Sequence, residues 1–222
     1  MAKQINNEEN LDVQETLSKS GQWIIKNQNM LMWCVCGILA VIVAIMLFNT
    51  YYLKPKSAEA DNEIAKAVVY FAADDFEKAL NGDEADCIGF EAIAQDYSIT
   101  KPGKLAALYA GLCHYNLGNY DDAIHYLKKF NANDLNIAPA ALMKTGDAYI
   151  ALGETEKAIG YFQKAAKSEN KLIAPIALKK AGFAQLETGN KKAAHKSFAS
   201  IKDNYPESQE AQDIDKYIEL AK

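Results

Sequence analysis

The chain has 222 residues, half of them hydrophobic, with 24 lysines and arginines against 29 aspartates and glutamates and a formal net charge of −5. That length accommodates one or two domains, and the negative balance argues against a nucleic-acid partner, which needs its phosphates neutralised. Four cysteines do not make a disulfide scaffold in a chain of this size.

Residues 1–29 read as a polar N-terminal tail carrying Glu8, Glu9, Asp12 and Glu15, with a weakly amphipathic stretch from Leu11 to Ile25 and no visible site. From Asn27 to Leu53 there is no charged residue, and residues 30–53 are apolar or aromatic except for Asn49 and Thr50. About 20 apolar helical residues cross a hydrocarbon core roughly 30 Å thick, so this stretch is long enough to be a transmembrane helix. Trp33 at one end and Tyr51 and Tyr52 at the other sit where amphipathic rings favour the headgroup level, and Lys54 and Lys56 follow. A cleaved signal peptide is the competing reading, with Ala58 and Ala60 as a small-x-small site. Signal peptides, however, have a short basic start and an apolar run of about 7–15 residues. Lysines stand on both sides of the span, so charge leaves its orientation open.

Lys54-Pro55-Lys56-Ser57 is expected to break the helix, because proline disfavours helical geometry in the residue before it. Beyond it, residues 58–222 show apolar spacings of 3, 4 and 7, which predict helices throughout and no sheet. A first, degenerate unit is placed at about 62–100, with a helix from about Asn62 to Leu80 and a turn at Asn81-Gly82-Asp83. Asp74, Asp75 and Glu77 read as a solvated helix face. Cys87 and Cys113 each fall on the apolar face of a predicted helix, where a thiol behaves as a small hydrophobe; a bridge between them stays open as the alternative.

Three segments then superpose, at about 104–138, 139–174 and 175–208. Gly111 and Gly118 are seven residues apart, as are Gly146 and Gly153, and Gly182 and Gly189. Five residues after each second glycine stands an alanine, Ala123, Ala158 and Ala194, and four residues further a large apolar side chain, Leu127, Phe162 and Phe198. The first glycine of each pair is expected inside the first helix of a hairpin, where a missing side chain lets the partner helix approach. The second is expected to end that helix, since glycine readily takes the left-handed conformation of a C-cap. The alanine is expected at the crossing of the two helices, with the large residue beside it. Phe90, Ile93 and Tyr97 precede Phe198, Ile201 and Tyr205 by three repeat lengths, which ties the degenerate unit to the series. A capping helix over 207–222 presents Ala211, Ile214, Ile218 and Ala221 on one stripe, as the open end of a solenoid requires.

The repeat length is close to the roughly 34 residues of a tetratricopeptide unit, and Tyr115-Asn116-Leu117-Gly118-Asn119-Tyr120-Asp121-Asp122-Ala123-Ile124 resembles that repeat residue by residue. The implied fold class is all-α, a right-handed α-solenoid of tetratricopeptide-type hairpins preceded by one transmembrane helix. The full layout resembles the membrane-anchored YfgM-like proteins, ancillary subunits of the Sec translocon. That resemblance implies a single-pass protein of the bacterial inner membrane, with its tail inside and its repeats in the periplasm. It also implies the translocon, periplasmic chaperones or secreted clients as protein partners.

No catalytic constellation is visible. His114, His125 and His195 lack metal-ligand spacing, and every repeated glycine has a packing reason, so neither enzyme activity, nor a cofactor, metal or small-molecule substrate is implied. What a solenoid offers is the concave face built from its first helices. Counting outward from the glycines, that face comprises Leu108, Tyr109, Leu112, Tyr115 and Asn116, then Met143, Lys144, Asp147 and Ile150, then Lys179, Lys180, Phe183 and Leu186. About half are expected to be exposed and the rest to pack between helices. Some tetratricopeptide domains clamp a terminal carboxylate with lysine, arginine and asparagine. The matching positions here are Leu108, Leu112, Lys144, Ile176 and Lys180, so only two cations remain and the clamp is not expected. The function read from these residues is a membrane-anchored protein-binding module; the alternative is a general scaffold for envelope assembly or division.

Overall fold

A computed structural model describes residues 21, 23–83, 85–131 and 134–222. The acidic tail residues and most of the stretch from Leu11 to Ile25 lie outside the described residues. The chain divides into two compact units, Met1–Pro55 and Lys56–Lys222.

In the first unit, α1 (Gln28–Phe48) has 21 residues, none of them buried. A helix of that length is about 31 Å long, and it is long and apolar enough to cross a membrane, a property that spans and signal sequences share. Asn49–Leu53 then winds as a π-helical turn in which the Lys54 amide bonds to the Asn49 carbonyl. Proline brings no N–H and its ring collides with the carbonyl four residues back in an ordinary α-helix; the wider turn just before Pro55 relieves that collision. The expected break at Lys54-Pro55-Lys56-Ser57 is therefore absent, and α2 occupies Lys54–Ala72.

The second unit is helical, without a strand among the described residues. The single helix expected from Asn62 to Leu80 is instead two: α2 ends at Ala72, Asp74 takes a left-handed φ of 58°, and α3 (Phe76–Asn81) follows. Asp75 is the reason for the restart, its carboxylate accepting the Lys78 amide as an N-cap. Asp74 and Asp75 thus form a turn and not a helix face. After the loop holding Cys87, α4 (Gly89–Asp96) supplies Phe90 and Ile93, both fully buried with Ala60, Ile64 and Ala67 of α2. Cys87 itself lies in that loop and not on a helix.

Three hairpins follow: α5 (Lys101–Asn116) with α6 (Tyr120–Lys129), α7 (Ile137–Ala151) with α8 (Thr155–Ala166), and α9 (Ile173–Glu187) with α10 (Lys191–Asn204). A Cβ built on Gly111 would stand 2.7 Å from Leu127, one on Gly146 2.5 Å from the Phe162 ring, and one on Gly182 2.3 Å from the Phe198 ring. The large residue of each second helix, one turn beyond the alanine, thus lies directly over the first glycine. Ala123, Ala158 and Ala194 are fully buried. Each of Leu127, Phe162 and Phe198 contributes about 1.5–3 kcal/mol by leaving water. Gly118, Gly153 and Gly189 have φ of 76–81° and turn the chain out of the first helix. The end cap is not one helix: a 3-10 turn at Gln209–Ala211 precedes α11 (Ile214–Leu220), whose Ile214 and Ile218 pack with Phe198 and Ile201.

Candidate protein-binding surface

The first helices carry the candidate residues, so their starts fix where those side chains point. Thr100 caps α5, its hydroxyl accepting the Gly103 amide at 2.9 Å. At α7 and α9 the same job falls to side chains three residues ahead of the helix. Asp134 accepts the amides of Asn136 and Ile137 (2.8 and 2.6 Å), and Asn170 those of Leu172 and Ile173 (both 2.9 Å). Asn170 also donates to the Asn136 side chain at 2.8 Å, tying successive hairpins together. These residues were missed in the sequence, although both precede the same Ile-Ala-Pro segment by three positions.

The thirteen candidates do not share one environment. Leu108 is buried between hairpins against Leu127 and Ala141. Tyr109 stacks on Phe90, centroids 4.9 Å apart, and meets Phe71 edge-on at 5.2 Å. Both are packing residues: the degenerate unit covers most of Tyr109, and the second hairpin covers Leu108. Leu112 and Leu186 are half-buried flanks of the core, and the exposed Asn116 turns its amide back to the Leu112 carbonyl at 2.9 Å. The open apolar positions are Ile150 (38 % exposed) and Phe183 (39 % exposed), with half-buried Tyr115 and Met143 between the hairpins. Phe183 is propped edge-on by Tyr217 of α11 at 4.8 Å, a residue the sequence reading did not include.

The charged candidates are already engaged. Asp147 receives the Lys180 ammonium at 2.7 Å and faces the Lys144 ammonium at 3.8 Å, while Lys144 also stands 4.3 Å above the Tyr115 ring. One carboxylate thus answers both lysines of the candidate clamp. Lys179 bonds Asp213 at 2.9 Å, tying α9 to the start of the end cap. Lys216 and then Lys179 hold the Asp213 carboxyl down at about 2. Burial, followed by the nearby Asp147, raises the Tyr115 phenol, so its ring is an uncharged contact surface.

His114 is a structural residue: its Nε2 lies 2.8 Å from Glu91 of α4 and its ring stacks on Tyr126 at 5.3 Å. Cys87 and Cys113 are buried free thiols, and burial pushes Cys113 up to about 12. Among the described residues, no group of three or more His, Cys, Asp or Glu is placed to hold a metal ion.

Comparison with protein families agrees with this geometry. Residues 110–173 match a tetratricopeptide repeat model, and residues 177–208 match a second tetratricopeptide repeat model. The chain therefore carries tetratricopeptide repeats arranged as an α-solenoid, a class of protein–protein interaction module. No curated protein matches it.

Proposed function

We propose that this protein is a membrane-anchored adaptor of the bacterial envelope that holds a segment of a partner protein along the first helices of its repeats. The observation that carries the reading is the open apolar row of Tyr115, Met143, Ile150 and Phe183, whose neighbouring lysines are answered by Asp147 and Asp213. Such a row binds by burial and not by net charge, as helix-in-groove and extended-segment recognition do. The 21-residue apolar α1 supports anchoring, and the resemblance to YfgM-like proteins supports the inner membrane, a periplasmic repeat domain, and the Sec translocon, chaperones or secreted clients as partners.

The test is a photoreactive residue at position 150 in the full chain, activated in intact membranes, with the crosslinked proteins identified. Translocon subunits, chaperones or secreted chains are expected. Recovery of assembly or division proteins alone would replace the secretion role with that of a general scaffold.

A further inference from the structure

The net charge of −5 conceals a segregation along the chain. Residues 56–96 hold eleven carboxylates and three lysines; residues 97–127 hold two of each; residues 128–202 hold thirteen lysines and six carboxylates; residues 203–222 hold six carboxylates and two lysines. A neutral stretch, made of α5 and most of α6, separates the acidic unit before the hairpins from a basic stretch that runs from the end of α6 through the second and third hairpins. Their opposite excesses, eight and seven, nearly match.

The basic excess has a defined place. Lys128, Lys129, Lys157, Lys164, Lys191, Lys192, Lys196 and Lys202 are all exposed, and all lie on the second helices α6, α8 and α10, away from the apolar row of the first helices. Three of them converge on a tyrosine pair. The rings of Tyr149 and Tyr161 are 5.3 Å apart, and the ammonium of Lys128 stands 5.2 and 5.7 Å from their centres. Lys157 stands 5.4 Å from Tyr149 and Lys164 5.1 Å from Tyr161. Lys128 also donates to the Tyr149 hydroxyl at 2.7 Å, and Glu154 pairs with Lys157. Cation–π contacts hold these like charges together, beside an open hollow of about 510 Å³ that Asp121, His125 and Lys129 also line. On the acidic unit, Asp61, Glu77 and Asp96 are exposed, and Asp86 faces solvent beside its Lys66 partner.

We infer that the basic face of α6, α8 and α10 docks the acidic unit of a second copy of this chain. The near-equal opposite excesses on one chain are the reason for choosing a second copy over another anion: each molecule brings both halves of the contact in fixed proportion. A two-fold pair satisfies both contacts at once and closes the assembly. End-to-end stacking would instead bring the acidic C-terminal segment against the acidic first unit. Each carboxylate–lysine contact is exposed and screened over about 10 Å at 0.1 M salt, so the pairing is salt-sensitive and leaves the apolar row of the first helices free.

The test uses the full chain in detergent, with its mass followed by sedimentation at low and high salt. The wild type is expected to dimerise at low salt and to dissociate at high salt. The triple variant Lys157→Glu, Lys164→Glu, Lys196→Glu should be monomeric at low salt, as should Asp61→Lys, Glu77→Lys, Asp96→Lys. An equimolar mixture of the two should recover a one-to-one dimer. A parallel set with Lys→Gln and Asp→Asn or Glu→Gln changes at the same sites, checked for unchanged helicity, should weaken the dimer less than reversal does. A wild type that is monomeric at low salt, or a mixture that does not pair, overturns the inference. So does a lysine variant that keeps its dimer mass but no longer sediments with anionic phospholipid vesicles, which would assign the face to a membrane surface.

Discussion

In the three regular hairpins the helices meet backbone against side chain: Gly111, Gly146 and Gly182 leave room that Leu127, Phe162 and Phe198 occupy. The unit before them is built otherwise. At the offset of 108 residues that relates Phe90 to Phe198, Asp74 stands where the last hairpin has Gly182, and the helix breaks there with a left-handed residue. Its core is closed by the stack of Phe71, Phe90 and Tyr109, and its long loop by polar latches. Asp83 accepts the amides of Ala85, Asp86 and Cys87 and the Tyr70 hydroxyl, while Lys66 bridges Glu63 and Asp86. Close approach without a side chain makes a dry, pH-indifferent joint that tolerates no added atom. A broken helix needs aromatic area and ionised groups, and it inherits their sensitivity to truncation and acid.

The largest effect that separates the two designs is overpacking. Gly146→Leu should cost about 3 kcal/mol or more, a fall in melting temperature of roughly 6–12 °C for a unit of this size, and far more than Asp147→Leu beside it. A loss below about 1 kcal/mol for Gly146→Leu would mean that Phe162 does not constrain position 146. Next comes Tyr109→Ala, which opens the aromatic stack of the first unit and should cost about 2 kcal/mol by denaturant titration. A Tyr109 that only lined a binding groove would leave stability unchanged.

Smaller is the acid response of the first unit. The Tyr70 hydroxyl, then the amides of Asp86, Cys87 and Ala85, hold the Asp83 carboxyl well below the usual carboxylate range. A carboxyl depressed on folding contributes stability that is fully present above its unfolded value of about 4 and is lost as pH falls toward its folded value. Melting temperature measured from pH 7 downward should therefore drop below about pH 4 in the wild type, and less steeply in Asp83→Ala, which starts lower. Parallel curves would remove Asp83 from the latch. The smallest expected change is Asp74→Gly, within about 0.5 kcal/mol, because relief of the left-handed residue is offset by added freedom in the unfolded chain.

The hairpins were legible in the sequence because a contact of backbone against a large side chain admits one residue type, so its spacing survives as paired glycines. The first unit was less so. Aspartate is compatible with a helix face and with a cap, and the cap by Asp75 goes together with the packing of Phe76 and Phe90 on Phe71, a tertiary contact that local spacing does not reveal. Pro55 reads locally as a break, yet a π turn absorbs it at no cost to the composition that a pattern search sees. At the candidate surface, helical spacing identifies which side of α5 faces the row, but not that the second hairpin covers Leu108 and the degenerate unit packs on Tyr109. Spacing alone places Asp147 on the same helix side as the row, while its bond to a lysine 33 residues away depends on the stacking of α7 on α9.

The measurement closest to the central claim compares two variants of the full chain in intact membranes, each scored for partner crosslinking at a fixed photoreactive position 116 and for helicity. Ile150→Ala with Phe183→Ala should reduce crosslinking strongly at all salt concentrations, since large apolar anchors carry most of the energy at such surfaces. Lys179→Gln with Lys180→Gln should change mainly its salt dependence. Loss of crosslinking in the lysine variant alone, with the apolar variant unaffected, would contradict binding by burial along the first helices and assign recognition to charge.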